Sequence, residues 1–140
     1  MTDQTPIDSL KAIVLYLYNH SLWNSAIHIH GAELPAGYAL TKSVLVLPEG
    51  GASNDDLPIM YDRFTFHSYG TTMYEAKDVD LLIYRILIRE KGEVNYTGGG
   101  KVKLMYAHRV FGPIPIREPD TEWPRWSSSY DTHLIDYAVT

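Results

Sequence analysis

Six histidines and no cysteine bound the chemistry open to this chain of 140 residues. Without cysteine there is no disulfide framework, no thiolate metal site and no Cys nucleophile. The one spacing with ligand character is His28-x-His30, which puts two imidazoles on one face of a strand. Zinc or a similar ion would need a third ligand, from His67, His108 or His133 on neighbouring strands. Histidines facing solvent or an interface are the simpler reading, because no acidic partner is fixed by the sequence. Thr97-Gly98-Gly99-Gly100-Lys101 looks like a phosphate loop but lacks the leading glycine spacing and the following Ser/Thr and helix. A hairpin linker fits it better. Asp55-Asp56 is an acidic pair in a Gly/Ser loop, either a solvated tip or a surface that contacts or repels charge. There is no G-x-S-x-G elbow, Walker loop or dinucleotide fingerprint. The expectation is a chain with no catalytic residues, no metal and no cofactor.

Composition narrows the classes further. A single domain over residues 1–140 is expected at this length, since one core can bury most of the apolar surface and two could not. A hydrophobic fraction of 45% and a charged fraction of 21% are ordinary globular values, which argues against disorder. The N-terminal MTDQTPIDSLK lacks the pattern of a secretory signal and no apolar run would span a bilayer. A soluble chain made in a cytoplasm, with no membrane partner, is therefore expected. A net charge of −5 argues against a duplex-coating protein, whose affinity would rest on Lys and Arg. It suits a surface that DNA passes without sticking. Tyrosine is abundant, 11 residues against three phenylalanines, with three tryptophans. Such side chains combine apolar area with a polar handle, in half-buried sheets or in association surfaces.

The elements that would position these groups follow from periodicity. Around Tyr61–Lys91 the chain reads as strand, sharp turn, capped helix. Phe64, Phe66 and Ser68 alternate with Arg63, Thr65 and His67, the period of a half-buried strand. After Gly70, Thr72 lies three residues ahead of Glu75, a capping box in which the hydroxyl takes the Glu75 amide and the carboxylate returns to the Thr72 amide. Ala76, Val79, Leu82, Ile83, Ile86 and Leu87 form the apolar stripe, with Lys77, Asp78, Asp80, Arg85 and Arg89 between them. Upstream, Thr5-Pro6-Ile7-Asp8 opens a helix carrying Leu10, Ile13, Val14 and Leu17 and ending near Asn19-His20. A short strand at Ala26–His30 follows, then a more central one at Ser43–Leu47. Residues 48–58 read as a long loop and 92–100 as a flexible flap around Gly98, Gly99 and Gly100. Lys101–Phe111 alternates as a strand with a slip near Ala107. Pro113, Pro115, Pro119 and Pro124 make 112–126 an extended arm, with Trp123 and Trp126 as its anchors or as part of an interface. Ser128–Val139 closes as a strand. The expected fold is α+β: a largely antiparallel sheet of four to five strands with two helices packed on one face.

The stretch from Arg63 to Leu87 supports a further reading. RFTFHSYGTTMYEAKDVDLLIYRIL, with Tyr69-Gly70 ahead of Tyr74-Glu75-Ala76, resembles the tail terminator (tail-completion) proteins of long-tailed bacteriophages and related gene-transfer particles. The order of the flanking elements and the segment Glu118–Pro124 extend the resemblance from Ile7 to Tyr137. It implies a structural virion protein, assembled in the bacterial cytoplasm and lodged in the tail-neck region. Such a protein forms a homo-oligomeric ring, usually a hexamer, that caps the tail tube and ends its polymerisation. It binds the tail tube protein and presents a surface to the head-connector or stopper protein, while DNA crosses its lumen without sequence-specific binding. The resemblance carries no catalytic residues over. It implies Tyr69, Gly70, Thr72, Glu75 and Ala76 as scaffold, with Asp55, Asp56, Gly98, Gly99, Gly100, Trp123 and Trp126 in contact elements or the lumen. Another neck component is the nearest alternative. A small metal-dependent enzyme using His28 and His30 is the alternative from a different class.

Overall fold

The computed structural model describes residues 9–31, 42–53, 59–96, 100–116 and 124–138. Helix α1 spans Ser9–Asn19, so the expected cap at Thr5–Asp8 lies outside the described residues. It buries Ala12, Ile13, Tyr16 and Leu17, a stripe turned slightly from the expected one, with Leu10 and Val14 at its margin. Tyr16 is buried because its polar tip is satisfied: the Gly92 amide donates to its hydroxyl at 3.1 Å.

Six strands form one sheet in the order β1-β2-β3-β6-β5-β4, with β1 at His28–Gly31, β2 at Ser43–Ser53 and β3 at Ile59–Tyr69. β4 is Glu93–Tyr96, β5 is Gly100–Ile116 and β6 is Arg125–Ala138. β1 runs parallel to β2 and every other pairing is antiparallel, so the sheet is mixed and largely antiparallel, with six strands where four to five were expected. The α+β class and the two helices over one shared core stand. That core joins Val44, Val46, Phe64, Phe66, Leu104, Tyr130 and Leu134 of the sheet to both helices, and Phe66 meets Tyr130 edge-on at 5.6 Å.

Three expected loops are partly strand. Residues 48–53 continue β2 through a register shift between Pro48 and Gly51, where Gly50 has φ +94°. A glycine there supplies the left-handed conformation of a bulge, so pairing with β3 resumes beyond it. Within 92–100, Glu93–Tyr96 pairs with Lys103–Gly100, and Gly100 is a buried strand residue rather than part of a flap. In the expected arm, β5 continues to Ile116 and β6 begins at Arg125. Pro113 is accommodated where the register with β6 shifts between Phe111 and Ile114, and a missing N–H is tolerated at such a shift. Gly112 is required beside it: φ is +97° and a Cβ would lie 2.6 Å from the Ser127 carbonyl oxygen.

Helix α2 spans Met73–Tyr84 and runs into a π-turn at Arg85–Arg89, closed by the Glu90 amide on the Arg85 carbonyl at 2.9 Å. Its buried residues are Ala76, Val79, Asp80 and Ile83, followed by Ile86 and Leu87. Asp80 is a correction, since the stripe placed it on the outer face. It faces the sheet because the Ser128 hydroxyl donates to its Oδ1 at 2.7 Å, giving a buried carboxyl a partner.

Candidate functional site

The residues singled out around the turn after β3 come together. Thr72 Oγ1 accepts from the Glu75 amide at 3.1 Å, as the capping box requires. The reciprocal bond falls one residue earlier than expected: the Glu75 carboxylate accepts from the Thr71 amide at 3.1 Å and the Thr71 hydroxyl at 3.2 Å. Gly70 fits because it has no side chain; a Cβ would sit 2.6 Å from the Ala76 nitrogen and 2.9 Å from the Glu75 carbonyl carbon. Trp126 belongs to the same assembly. Its Nε1 donates to the Met73 carbonyl at 3.0 Å, and the Lys77 ammonium lies 4.2 Å from its ring centre. Trp126 thus ties β6 to α2 within the chain. Asp55, Asp56, Gly98, Gly99 and Trp123 lie outside the described residues.

Below the turn, β3 and β6 pair without a break from Ile59 to Tyr69. Cross-strand partners point to one face, and alternate pairs point away from the helices. Five successive pairs on this helix-free face make side-chain contacts. Arg125 donates to the Tyr69 hydroxyl at 3.3 Å. His67 Nδ1 and Ser127 Oγ share a hydrogen bond at 2.5 Å. Thr65 and Ser129 share one at 2.6 Å, and Thr65 donates its own proton to Glu49, so the Ser129 hydroxyl is the donor to Thr65. Arg63 grips Asp131 with two bonds, at 2.7 and 3.2 Å. His133 meets Tyr61 edge-on at 4.5 Å and lies 4.8 Å from Tyr106. A cleft of about 560 Å³ opens at this end, among Glu49, Tyr61, Arg63, Tyr106, Asp131 and His133.

The electrostatics follow from these contacts. The Arg63 hydrogen bond holds the Asp131 carboxyl below its ordinary range, and that bond in turn raises Arg63. Burial pushes the Asp62 carboxyl up, partly offset by a hydrogen bond from Ser9. On the helix side, burial pushes Asp80 up against its Ser128 bond, with Lys77 and Arg109 pulling it down. Burial likewise raises the Tyr130 hydroxyl, and the neighbouring Asp80 charge adds to this.

These contacts tie β3 to β6 along the whole of their pairing. His67 and Ser127 are a base and a hydroxyl in contact, yet Ser127 is only 2% exposed, so its Oγ is closed to an approaching substrate. His28 and His30 sit on the edge strand β1, and the register aligns His30 with Leu45 and Leu45 with His67. Two strand spacings therefore separate His30 from His67, roughly 10 Å, too far to share an ion. Among the described residues no three His, Cys, Asp or Glu side chains are grouped to hold a metal. No helix of the described residues is long and apolar enough to cross a membrane. The ladder itself was hidden in sequence: the alternation in Arg125–His133 shows a strand, but no spacing reveals that its polar partners are those of β3. No family model matches the chain, and no curated protein matches it.

Proposed function

We propose that this chain is a structural subunit of the head–tail junction of a long-tailed phage or related particle. In this reading its copies form a ring that caps the tail tube, ends tube growth and joins the tail to the head connector. The observation that carries the reading is the strand–Gly70–capped helix unit at Tyr61–Lys91, whose backbone fit leaves no room for a side chain at Gly70. The flanking order supports it: a leading helix, a short strand and a Val/Leu strand before the unit, two long strands after it. So does the helix-free face, where paired polar side chains stiffen the sheet without assembling an open catalytic pair. A net charge of −5 suits a subunit lining a passage for DNA, since like charge keeps the duplex from sticking.

The test is native mass spectrometry and negative-stain imaging of the full chain, alone and with the tail tube protein of the same particle. The expected result is a closed ring whose pore admits duplex DNA. A chain that stays monomeric under both conditions, or that forms only an open dimer, overturns the reading.

A further inference from the structure

Three rings floor the cleft beside the β3–β6 ladder. Tyr61 on β3 and Tyr106 on β5 are both register partners of His133, and their ring centres lie 4.5 and 4.8 Å from its own. The floor is a continuous aromatic shelf. Its outer end is open, since Tyr106 is 43% exposed, and the cleft volume of about 560 Å³ is in the range of small-molecule sites.

The polar groups around the shelf are held in place and still have donors and acceptors to offer. Arg63 uses Nε and Nη2 on Asp131, which leaves the Nη1 side of its fork. Glu49 takes the Thr65 proton on Oε1 and keeps Oε2. Among the described residues nothing hydrogen-bonds to the hydroxyls of Tyr61 and Tyr106 or to the ring nitrogens of His133. Donors and acceptors are therefore interleaved around one aromatic floor.

Charge decides which ligand suits them. The Glu49 and Asp131 carboxylates both act on the Arg63 guanidinium, and Lys103 stands next in the Tyr106 row, opposite Ile135. Asp62 adds little, because its carboxyl is hydrogen-bonded to Ser9 on α1. With the two signs balanced, an anion would meet Glu49 and Asp131, and a cation would meet Arg63 and Lys103. A neutral ligand meets neither penalty. The hydroxyl is the neutral group that both donates and accepts, and adjacent hydroxyls match the two-pronged guanidinium and carboxylate forks. A pyranose sugar supplies such hydroxyls together with a flat C–H face to lie on a ring.

We propose that this cleft binds a neutral saccharide, with one sugar ring stacked on Tyr106 and its adjacent hydroxyls paired with Arg63, Asp131 and Glu49. One copy of the chain carries the whole site, so it stands whether or not copies form a ring.

The test titrates the full chain with the methyl glycosides of glucose, galactose, mannose and N-acetylglucosamine, following the Tyr106 and His133 ring protons by NMR. The methyl glycosides of glucosamine and glucuronic acid are the cationic and anionic counterparts. At least one neutral sugar is expected to shift both rings with a Kd on the order of 1 mM, and both charged counterparts to bind more weakly. Tyr106→Ala and Glu49→Ala are each expected to raise that Kd about 5-fold, and Met105→Ala, an exposed neighbour outside the cleft, to leave it unchanged. Circular dichroism checks that all three variants fold. No shift with any of the four neutral sugars, a charged counterpart that binds more tightly than all of them, or an unchanged Kd in both cleft variants would overturn the proposal.

Discussion

Replacing Gly70 by alanine tests the strand–turn–helix unit at its tightest point. The added Cβ would lie 2.6 Å from the Ala76 nitrogen and 2.9 Å from both the carbonyl carbon and Cβ of Glu75. All three atoms belong to the first turn of α2, and two are backbone, so no side-chain rotation clears the clash. Reaching an ordinary contact moves that turn outward by about 0.8 Å, a strain of overpacking that typically costs about 1–3 kcal/mol. The same motion stretches the Thr72 cap, at 3.1 Å from the Glu75 amide, and a lost cap costs about 1 kcal/mol. Stiffening the unfolded chain acts the other way by about 0.4–1 kcal/mol. The net expectation is a loss of about 2 kcal/mol. Urea unfolding followed by far-ultraviolet circular dichroism reads this as a midpoint lowered by about 1 M at unchanged slope. Gly92→Ala is the control, since nothing lies within 4 Å of its added Cβ. It is expected to leave the midpoint in place or raise it slightly. A Gly70→Ala midpoint equal to that of wild type or of Gly92→Ala would refute the packing argument.

Further expectations attach to other residues. Asp80→Ala leaves the Ser128 hydroxyl buried without its acceptor and is expected to cost about 1–3 kcal/mol in the same urea assay. Asp80→Asn keeps an acceptor and removes a buried charge. Because the folded chain holds the Asp80 proton more tightly than the unfolded one, wild type loses stability as pH rises from the ordinary carboxyl value through the raised one. Asp80→Asn should therefore gain on wild type at neutral pH, an advantage that vanishes at acid pH; a constant difference would contradict the assignment. Phe66→Ala removes a fully buried ring from its edge contact with Tyr130 and should cost about 3–5 kcal/mol by calorimetry or denaturant. Charge reversal at both Asp55 and Asp56 is expected to leave unfolding unchanged yet impair particle completion, measured as infectious titre. A normal titre would remove that pair from the functional surface.

The elements legible in sequence were those with clean periodicity. Phe64, Phe66 and Ser68 alternate, and the Thr72–Glu75 cap opens a run of helical spacing, so β3 and α2 could be read before any fold was known. What escaped was set by partners distant in sequence. Glu93–Tyr96 is a strand because Lys103–Gly100 lies beside it, not because its own residues alternate strongly. The prolines at 113 and 115 argue against a strand until the register shifts supply places where a missing N–H costs little. Asp80 falls among charged residues of α2, and only Ser128, on β6, explains why it points inward. The polar ladder has the same character: Thr65 and Ser129 are unremarkable alone and become a relay to Glu49 only through the β3–β6 register. His28 and His30 show the converse, a suggestive local spacing whose nearest in-row histidine the sheet holds two strands away.

The central claim concerns the end of the tail, and tail length is its most direct readout. Particles produced without this chain, imaged by electron microscopy, should show tubes of uncontrolled, extended length and heads with no tail attached, both restored by supplying the chain in trans. Tails of normal length joined to filled heads in its absence would contradict the account.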